Sequence, residues 1–406
     1  MAVYAWGFGK YGQLGTGESK TCELPQRLKL PAGTCPVKMS CGAHFTLVMC
    51  KRRTRKAGEH EDSTSDERTT LYACGWGKYG RLGVGSEESQ LVPMEVALPT
   101  NADPAVMSAG HWHAACVTTK GELYVWGYNK SLGLSSQTPI QASIVSELVP
   151  RRIAGLESVR FKRVSCGHNF TYAVDAEGVC YSWGSNKHGV LGQGDVTDRL
   201  KPSTVDVGGE LVAQVSSGYS HVAVLTDRGV LYTIGSGSCG QLGHAHDHSD
   251  KYVPTKVASL VGVDVTDASC SKGEHHSHTM ACSRDGLVYA WGDGYKGKLG
   301  HGSQESIDVP TVIDPTHFLG ERVVQVSCGG IHSAAITDGG SVFTWGCGSD
   351  GRLGHAEAKG HRYLFRSDVP RVVEGLQEET AEGRLKCTAL SCSYYHTTVL
   401  CAREKA

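Results

Sequence analysis

No stretch of this 406-residue sequence approaches the roughly 20 consecutive apolar residues that a membrane-spanning helix needs. The first residues, with a strand-like "VYAWG" beginning at Val3, lack the charged-then-apolar plan of a signal peptide. An excess of one charge sign is also missing. The 40 Lys and Arg nearly balance 41 Asp and Glu, so no global field draws the molecule to nucleic acid or to an anionic membrane, and chromatin binding is not expected. Common catalytic signatures are absent: there is no Walker-type phosphate loop, no Gly-x-Ser-x-Gly elbow and no His-Glu-x-x-His, and the Gly-x-Gly strings follow strand-like runs without opening helices. No cofactor is expected. The 16 cysteines contain no Cys-x-x-Cys pair; Cys41, Cys166, Cys328 and Cys392 each follow a Ser at one place in a repeat. Small buried residues explain that better than metal ligation or a disulfide framework, and the expectation is reduced thiols in an intracellular compartment.

What the sequence has in plenty is glycine, 52 residues, set among Val, Tyr, Trp and Thr. That composition suits short strands and tight turns. The phrase "YAWGFGKYGQLG" returns as "YACGWGKYGRLG", "YSWGSNKHGVLG", "YTIGSGSCGQLG", "YAWGDGYKGKLG" and "FTWGCGSDGRLG". Its Trp position falls at Trp6, Cys74, Trp126, Trp183, Ile234, Trp291 and Trp345, with spacings of 68, 52, 57, 51, 57 and 54. A second phrase, close to Cys-Gly-x-x-His, also occurs seven times: "CGAHF", "AGHWH", "CGHNF", "SGYSH", "CSKGEHHSH", "CGGIH" and "CSYYH". Between the two lie alternating runs around Asp-Gly type turns, so the unit reads as a β-hairpin with both phrases at one end. A period in the fifties with strands in every unit predicts an all-β, seven-bladed propeller occupying 1–406 as one unit. Trp6-Gly7, Trp126-Gly127, Trp183-Gly184, Trp291-Gly292 and Trp345-Gly346 are its repeated structural pairs. Each indole is expected to fill an inter-blade core; at about 25 cal/mol/Å², burying roughly 150–250 Å² of ring stabilises by about 4–6 kcal/mol, an upper bound. Where Trp is missing, Trp76 is expected to fill the space beside Cys74, and Ile234 to meet a smaller neighbour. The chain starts on half a hairpin and finishes on the other half, "SYYHTTVLCA", so its last strand is expected to pair with its first.

These two alternating motifs, from Val3 to about Cys401, resemble the repeats of the regulator of chromosome condensation family. The resemblance implies a propeller fold and several distinct occupations for it. The founding member exchanges guanine nucleotide on the Ran GTPase and binds nucleosomes; relatives include a plant ultraviolet-B photoreceptor, ubiquitin-ligase modules, and ciliary or cytoskeletal scaffolds. The exchange factor carries an Asp immediately before the His of the phrase matching "SGYSHVAVLTDRGVLYTIGSGSCGQLG", and a β-wedge inserted in the preceding loop. Here the residue before His221 is Ser220, and the preceding loop "WGSNKHGVLGQG" has the plain repeat length. The photoreceptor uses clustered Trp residues between the Gly and His of successive repeats, where this sequence has only Trp112.

Three local features stand outside the repeat. "KRRTRKAGEHEDSTSDERTT", residues 51–70, reads as a charged, disordered insertion at the hairpin end. Its Lys51, Arg52, Arg53, Arg55 and Lys56 form a candidate basic arm for nuclear import or phosphate contact, and Ser63, Thr64 and Ser65 are candidate phosphorylation sites. The clusters His244, His246, His248 and His275, His276, His278 suit Zn²⁺ or Cu²⁺ by residue type; the repeat itself accounts for His244, which shares its place with His301 and His355, and for His278, so no metal is expected. The longer seventh-repeat loop, "GHRYLFRSDVPR", offers Arg362, Tyr363, Phe365 and Arg366 as candidate partner anchors, with Tyr219 and Ser220 as further candidates.

The reading is a monomeric, non-catalytic interaction scaffold that presents variable loops to protein partners. The alternative is a guanine-nucleotide exchange factor for a small GTPase, Ran or a relative, with chromatin binding, resting on the basic arm at Lys51 to Lys56, as a further reading that the charge balance does little to support. A cytoplasmic or nuclear location is expected, with a cytoskeletal or ciliary address left open.

Overall fold

The computed structural model describes residues 1–54, 66–134, 146–356, 365–377 and 384–404. Seven four-stranded antiparallel sheets surround an axis, and no α-helix occurs among the described residues. The hairpin expected from the sequence forms the middle two strands of each blade. A strand ending in Cys or a small residue lies inside it, as in Thr34–Cys41 of blade 2, and a fourth strand follows the Leu-Gly turn outside, as in Gln90–Glu95. These outer strands were not legible as strands because each carries a Pro in its middle. Blade 1 is assembled from both ends of the chain: Ala2–Gly7 pairs with His396–Glu404 in one register, from Ala2 opposite Cys401 to Gly7 opposite His396. The ring therefore closes by main-chain pairing.

The inner edge of every blade turns toward the axis and has no further strand beside it. The Ser of the Ser-Cys pair resolves this. In all seven blades its hydroxyl accepts the amide N–H of the corresponding inner-strand residue in the next blade: Ser40 from Ala109, Ser108 from Cys166, Ser165 from Ser217, Ser216 from Cys270, Ser269 from Cys328, Ser327 from Cys392 and Ser391 from Cys41, each at 2.9–3.0 Å. Buried amides left unpaired are costly, and the Ser is present in all seven blades, whereas the Cys beside it gives way to Ala109 and Ser217 in two.

The His of the second phrase makes another inter-blade contact. His396, His113, His221, His278 and His332 place Nε2 at 2.8–2.9 Å from Thr46, Thr171, Thr279, Ser333 and Thr397 of the following blade. Each hydroxyl donates to a carbonyl in the residue before Leu-Gly, for example Thr46 to Gln13 at 2.7 Å and Thr397 to Arg352 at 3.0 Å. It must therefore accept from the imidazole, which fixes a neutral ring protonated on Nε2. Burial pushes His113, His221 and His396 down to about 3. Two blades carry Phe45 and Phe170 instead, and there the facing residue is Ala114 or Val222, with no polar group to satisfy.

Three of the five repeat indoles follow the same logic, while Nε1 of Trp183 and of Trp345 is buried without a hydrogen-bond partner. Trp6, Trp126 and Trp291 are fully buried and donate Nε1–H to the carbonyls of Arg352, Arg81 and Gln241 at 2.9–3.0 Å. The Leu-Gly glycine lies against the ring: a Cβ on Gly354, at φ 77°, would stand 2.8 Å from Nε1 of Trp6. Both expectations for the missing indoles are corrected. Trp76 points away from the core, and the gap beside Cys74 is taken by Leu28, packed against Gly15. Ile234 meets a larger neighbour: Tyr172, fully buried, brings its hydroxyl 2.6 Å from the Val190 carbonyl, the place an indole N–H occupies elsewhere.

Two further corrections concern charge and sulfur. Strands Phe45–Thr54 and Asp66–Gly75 continue their ladder to Thr54 opposite Asp66, so Lys51, Arg52 and Arg53 are strand residues opposite Thr69, Arg68 and Glu67, where a disordered arm was expected. Arg55 and Lys56 of the candidate arm, and Ser63, Thr64 and Ser65, lie outside the described residues. Cys387 and Cys401 face one another across the closing blade and form a disulfide, against the expectation of reduced thiols; the other 14 cysteines are free.

Tyr172→Ala should destabilise by about 3–5 kcal/mol in urea unfolding, through the cavity and the unpaired Val190 carbonyl, and adding Ile234→Trp should recover part of that loss. An acid scan should show a second effect. Unfolded histidines take up protons below about pH 6.5 and the buried ones resist until about pH 3, so stability is full above 6.5 and falls through that window. At pH 5 each buried His costs about 2 kcal/mol. The pair His396→Phe with Thr46→Ala, which copies the Phe45–Ala114 arrangement, should lessen the pH 7 to 5 loss by about that amount.

Candidate functional site

The residue after each Trp-Gly and the residues just before each His emerge together at one end of the blades, because Gly7 pairs with His396 and its counterparts pair alike. Blades 1 to 3 carry rings at these places. Tyr395 lies 5.5 Å from Phe8 and stacks on His44 at 4.9 Å, Tyr11 stacks on Trp76 at 5.0 Å, and Trp76 reaches Trp112 at 6.0 Å. Trp112 thus has a second indole beside it, from a loop the sequence reading placed elsewhere. The series continues through His111 and His168 to Tyr219, which stacks on His168 at 4.0 Å. These rings are half-buried, so their edges and faces form the surface around the mouth of the axial channel. Burial pushes His44 and His168 down to about 4 and raises the Tyr219 phenol to about 12.

Arg81 sits beneath this surface with its guanidinium 4.5 Å from the Trp76 centroid and 4.6 Å from that of Trp112. Nε–H donates to the Lys78 carbonyl at 2.8 Å and Nη1 to the His111 carbonyl at 3.1 Å. Nη2 is buried with no hydrogen-bond partner. Burial lowers its pKa to about 9, so the group stays cationic at neutral pH. Tyr79, at the loop tip, holds a left-handed backbone, φ 63°, shared by His188, Lys296 and Asp350 in other blades. At the channel mouth Lys272 donates to the Ser217 carbonyl at 2.6 Å, and burial lowers its pKa.

The sequence candidates are dispersed. Tyr219 joins the aromatic rim, while neighbouring Ser220 uses its main-chain carbonyl to accept from Ser236 at 2.8 Å. Phe365 is folded onto its own blade against Gly348 and His355. Arg366 pairs with Asp368 at 3.0 Å. Neither forms an anchor with the aromatic rim, and Arg362 and Tyr363 lie outside the described residues. The histidine clusters separate: His246 and His248 turn to Asp308, His276 to Asp293, and His278 belongs to the inter-blade ring. No group of metal-ligating residues suited to an ion occurs among the described residues. Arg81, Trp76, Tyr79 and Lys78 went unnoticed because the repeat pattern absorbed them. Comparing the residue before Leu-Gly across the copies, Gln13, Arg81, Ser131, Val190, Gln241, Lys298 and Arg352, would have singled out the cations.

A propeller built on these two motifs is the architecture of one family. The model described as "RCC1-like domain" matches residues 57–322, and that described as "Regulator of chromosome condensation (RCC1) repeat" matches 2–49, 339–400 and, in a second version, 323–352. The chain belongs to the regulator of chromosome condensation family. It is 33% identical over 385 residues to the "Ultraviolet-B receptor UVR8" of Arabidopsis thaliana, covering 94% of this chain and 80% of that one. It is 29% identical to the "E3 ubiquitin-protein ligase HERC2" of Homo sapiens over 97% of this chain, spanning only 7% of the ligase's length. Among solved structures, human WBSCR16 superposes with a TM-score of 0.80 at 24% identity, over 100% of this chain and 99% of the other, a likeness of fold.

Trp112→Ala should cost less stability in an Arg81→Gln background than in the native chain. The coupling expected from a double-mutant cycle is about 1–2 kcal/mol for a desolvated cation between rings.

Proposed function

We propose that the protein is a non-catalytic interaction module whose docking face is the aromatic rim of blades 1 to 5. The observation that carries this reading is the run of half-buried rings from Tyr395 to Tyr219, with Arg81 inserted between Trp76 and Trp112. Trp, Tyr and Arg are the residues that dominate interface energies, because each offers large contact area and directional bonding with little flexibility to lose. Here they are mounted on neighbouring blades locked together by the serine and histidine contacts, so binding orders little that is not already ordered. A surface of this composition is more than an ordinary scatter of exposed apolar groups.

Two measurements test the reading. Release of fluorescent GDP from Ran and from a panel of other small GTPases should not accelerate on adding catalytic amounts of the protein. Acceleration of any one would replace the proposal with guanine-nucleotide exchange. Proteins captured by the immobilised native chain should be lost with Trp112→Ala at unchanged folding. Capture that ignores this substitution would move the docking face elsewhere on the ring.

A further inference from the structure

Blades 2 and 7 carry nearly the same cation site, with one difference. Arg81 and Arg352 both precede Leu-Gly. Their Nε groups donate three residues back, to Lys78 at 2.8 Å and Ser349 at 2.7 Å. Their Nη1 groups donate to equivalent carbonyls of the next blade, His111 and Tyr394, both at 3.1 Å. Each lies over the ring that follows, Trp112 or Tyr395. Nη2 of Arg352 then meets the carboxylate of Asp350 at 3.3 Å, whereas Nη2 of Arg81 has no hydrogen-bond partner. Lys298, at the same place in blade 6, is also neutralised within its blade, by Asp293. In blade 2 both acidic positions have become aromatic: Trp76 stands where Asp293 does, and Tyr79 where Asp350 does, at φ 63° against 58°. Exposed Lys78, over the rings of Trp76 and Tyr79, adds a second cation, and neither it nor Arg81 has an ion pair among the described residues.

A buried guanidinium with an unused N–H is costly, and truncating or omitting its counter-ion normally selects against it. The retained charge implies that its carboxylate comes from outside the chain. We propose that the Arg81–Lys78 site receives an Asp or Glu side chain from an acidic segment of a protein partner, which takes the place of Asp350 in blade 7. This rests on the aromatic face being the docking surface, and it names the chemistry that the face selects. The arriving carboxylate displaces the half-buried Tyr79 ring, pairs with Nη2 of Arg81, and leaves the segment lying across Trp76 and Trp112. Blade 7 shows that the pocket accepts a carboxylate.

The test uses the full-length protein and a fluorescent oligo-glutamate peptide, with single-stranded oligothymidylate as a parallel probe. Three variants borrow residues already tolerated at equivalent places. Arg81→Gln copies Gln13 and Gln241, Tyr79→Asp copies Asp350, and Asp350→Tyr opens blade 7. Expected results are peptide binding weakened at least tenfold by Arg81→Gln and by Tyr79→Asp, a raised melting temperature for Tyr79→Asp alone, and a second peptide site in Asp350→Tyr. Peptide binding unchanged by Tyr79→Asp would overturn the proposal, as would binding of oligothymidylate in preference to the peptide. If captured proteins depend on Trp112 and the peptide does not bind, the carboxylate inference fails while the docking face stands. If the peptide binds as expected and GDP release is accelerated, the carboxylate site stands and the non-catalytic reading fails.

Discussion

Seven serine hydroxyls around the axis set the terms for everything else in this ring. A propeller blade has an inner edge that no further strand can cover. By accepting an amide from the next blade, each serine turns that edge into a joint. The contact runs in one rotational sense from blade to blade and returns to its start only if all seven are present. Main-chain pairing of Ala2–Gly7 with His396–Glu404 then holds the last joint shut. The distance between neighbouring blades is thereby fixed, and the histidine, indole and aromatic layers must all be built to that spacing.

Within the fixed spacing, the repeat tolerates exchanges only in matched pairs. Imidazole opposite hydroxyl can become phenyl opposite methyl, as at Phe45 and Ala114, because the exchange removes the Nε2–H donor and its hydroxyl acceptor together. Indole can become Ile234 when Tyr172 supplies both the missing volume and the missing donor. Arg81 departs from this pairing as a buried cation with no counter-ion among the described residues. Its partner positions changed to rings without a compensating acceptor, and the break occurs at the surface where the rings are collected.

Much of the architecture was readable in the sequence because each copy of the two phrases is one blade, and seven copies in register leave few alternatives. The closing pairing was readable from the divided hairpin. What escaped was whatever depends on contact between copies. Trp76 and Ile234 were assigned within their own repeat, whereas their surroundings come from adjacent blades. Lys51 to Arg53 read as a loop because charge is a weak guide when two strands simply project past the sheet's apolar part. The candidate face was hidden for a related reason: Trp76, Tyr79 and Arg81 belong to the conserved-looking phrase, and their significance lies in how they depart from Asp293, Asp350 and the neutral residues at the same places.

The loop-tip position held by Tyr79, His188, Lys296 and Asp350 has a further consequence. A left-handed backbone costs an ordinary residue about 1–2 kcal/mol relative to glycine, yet four blades place a side chain there, each of different chemistry. Aromatic, imidazole, ammonium and carboxylate groups are thus held out on identical mounts around one circumference. The ring behaves as a keyed dial, in which recognition can be rewritten one sector at a time while the frame beneath it stays the same.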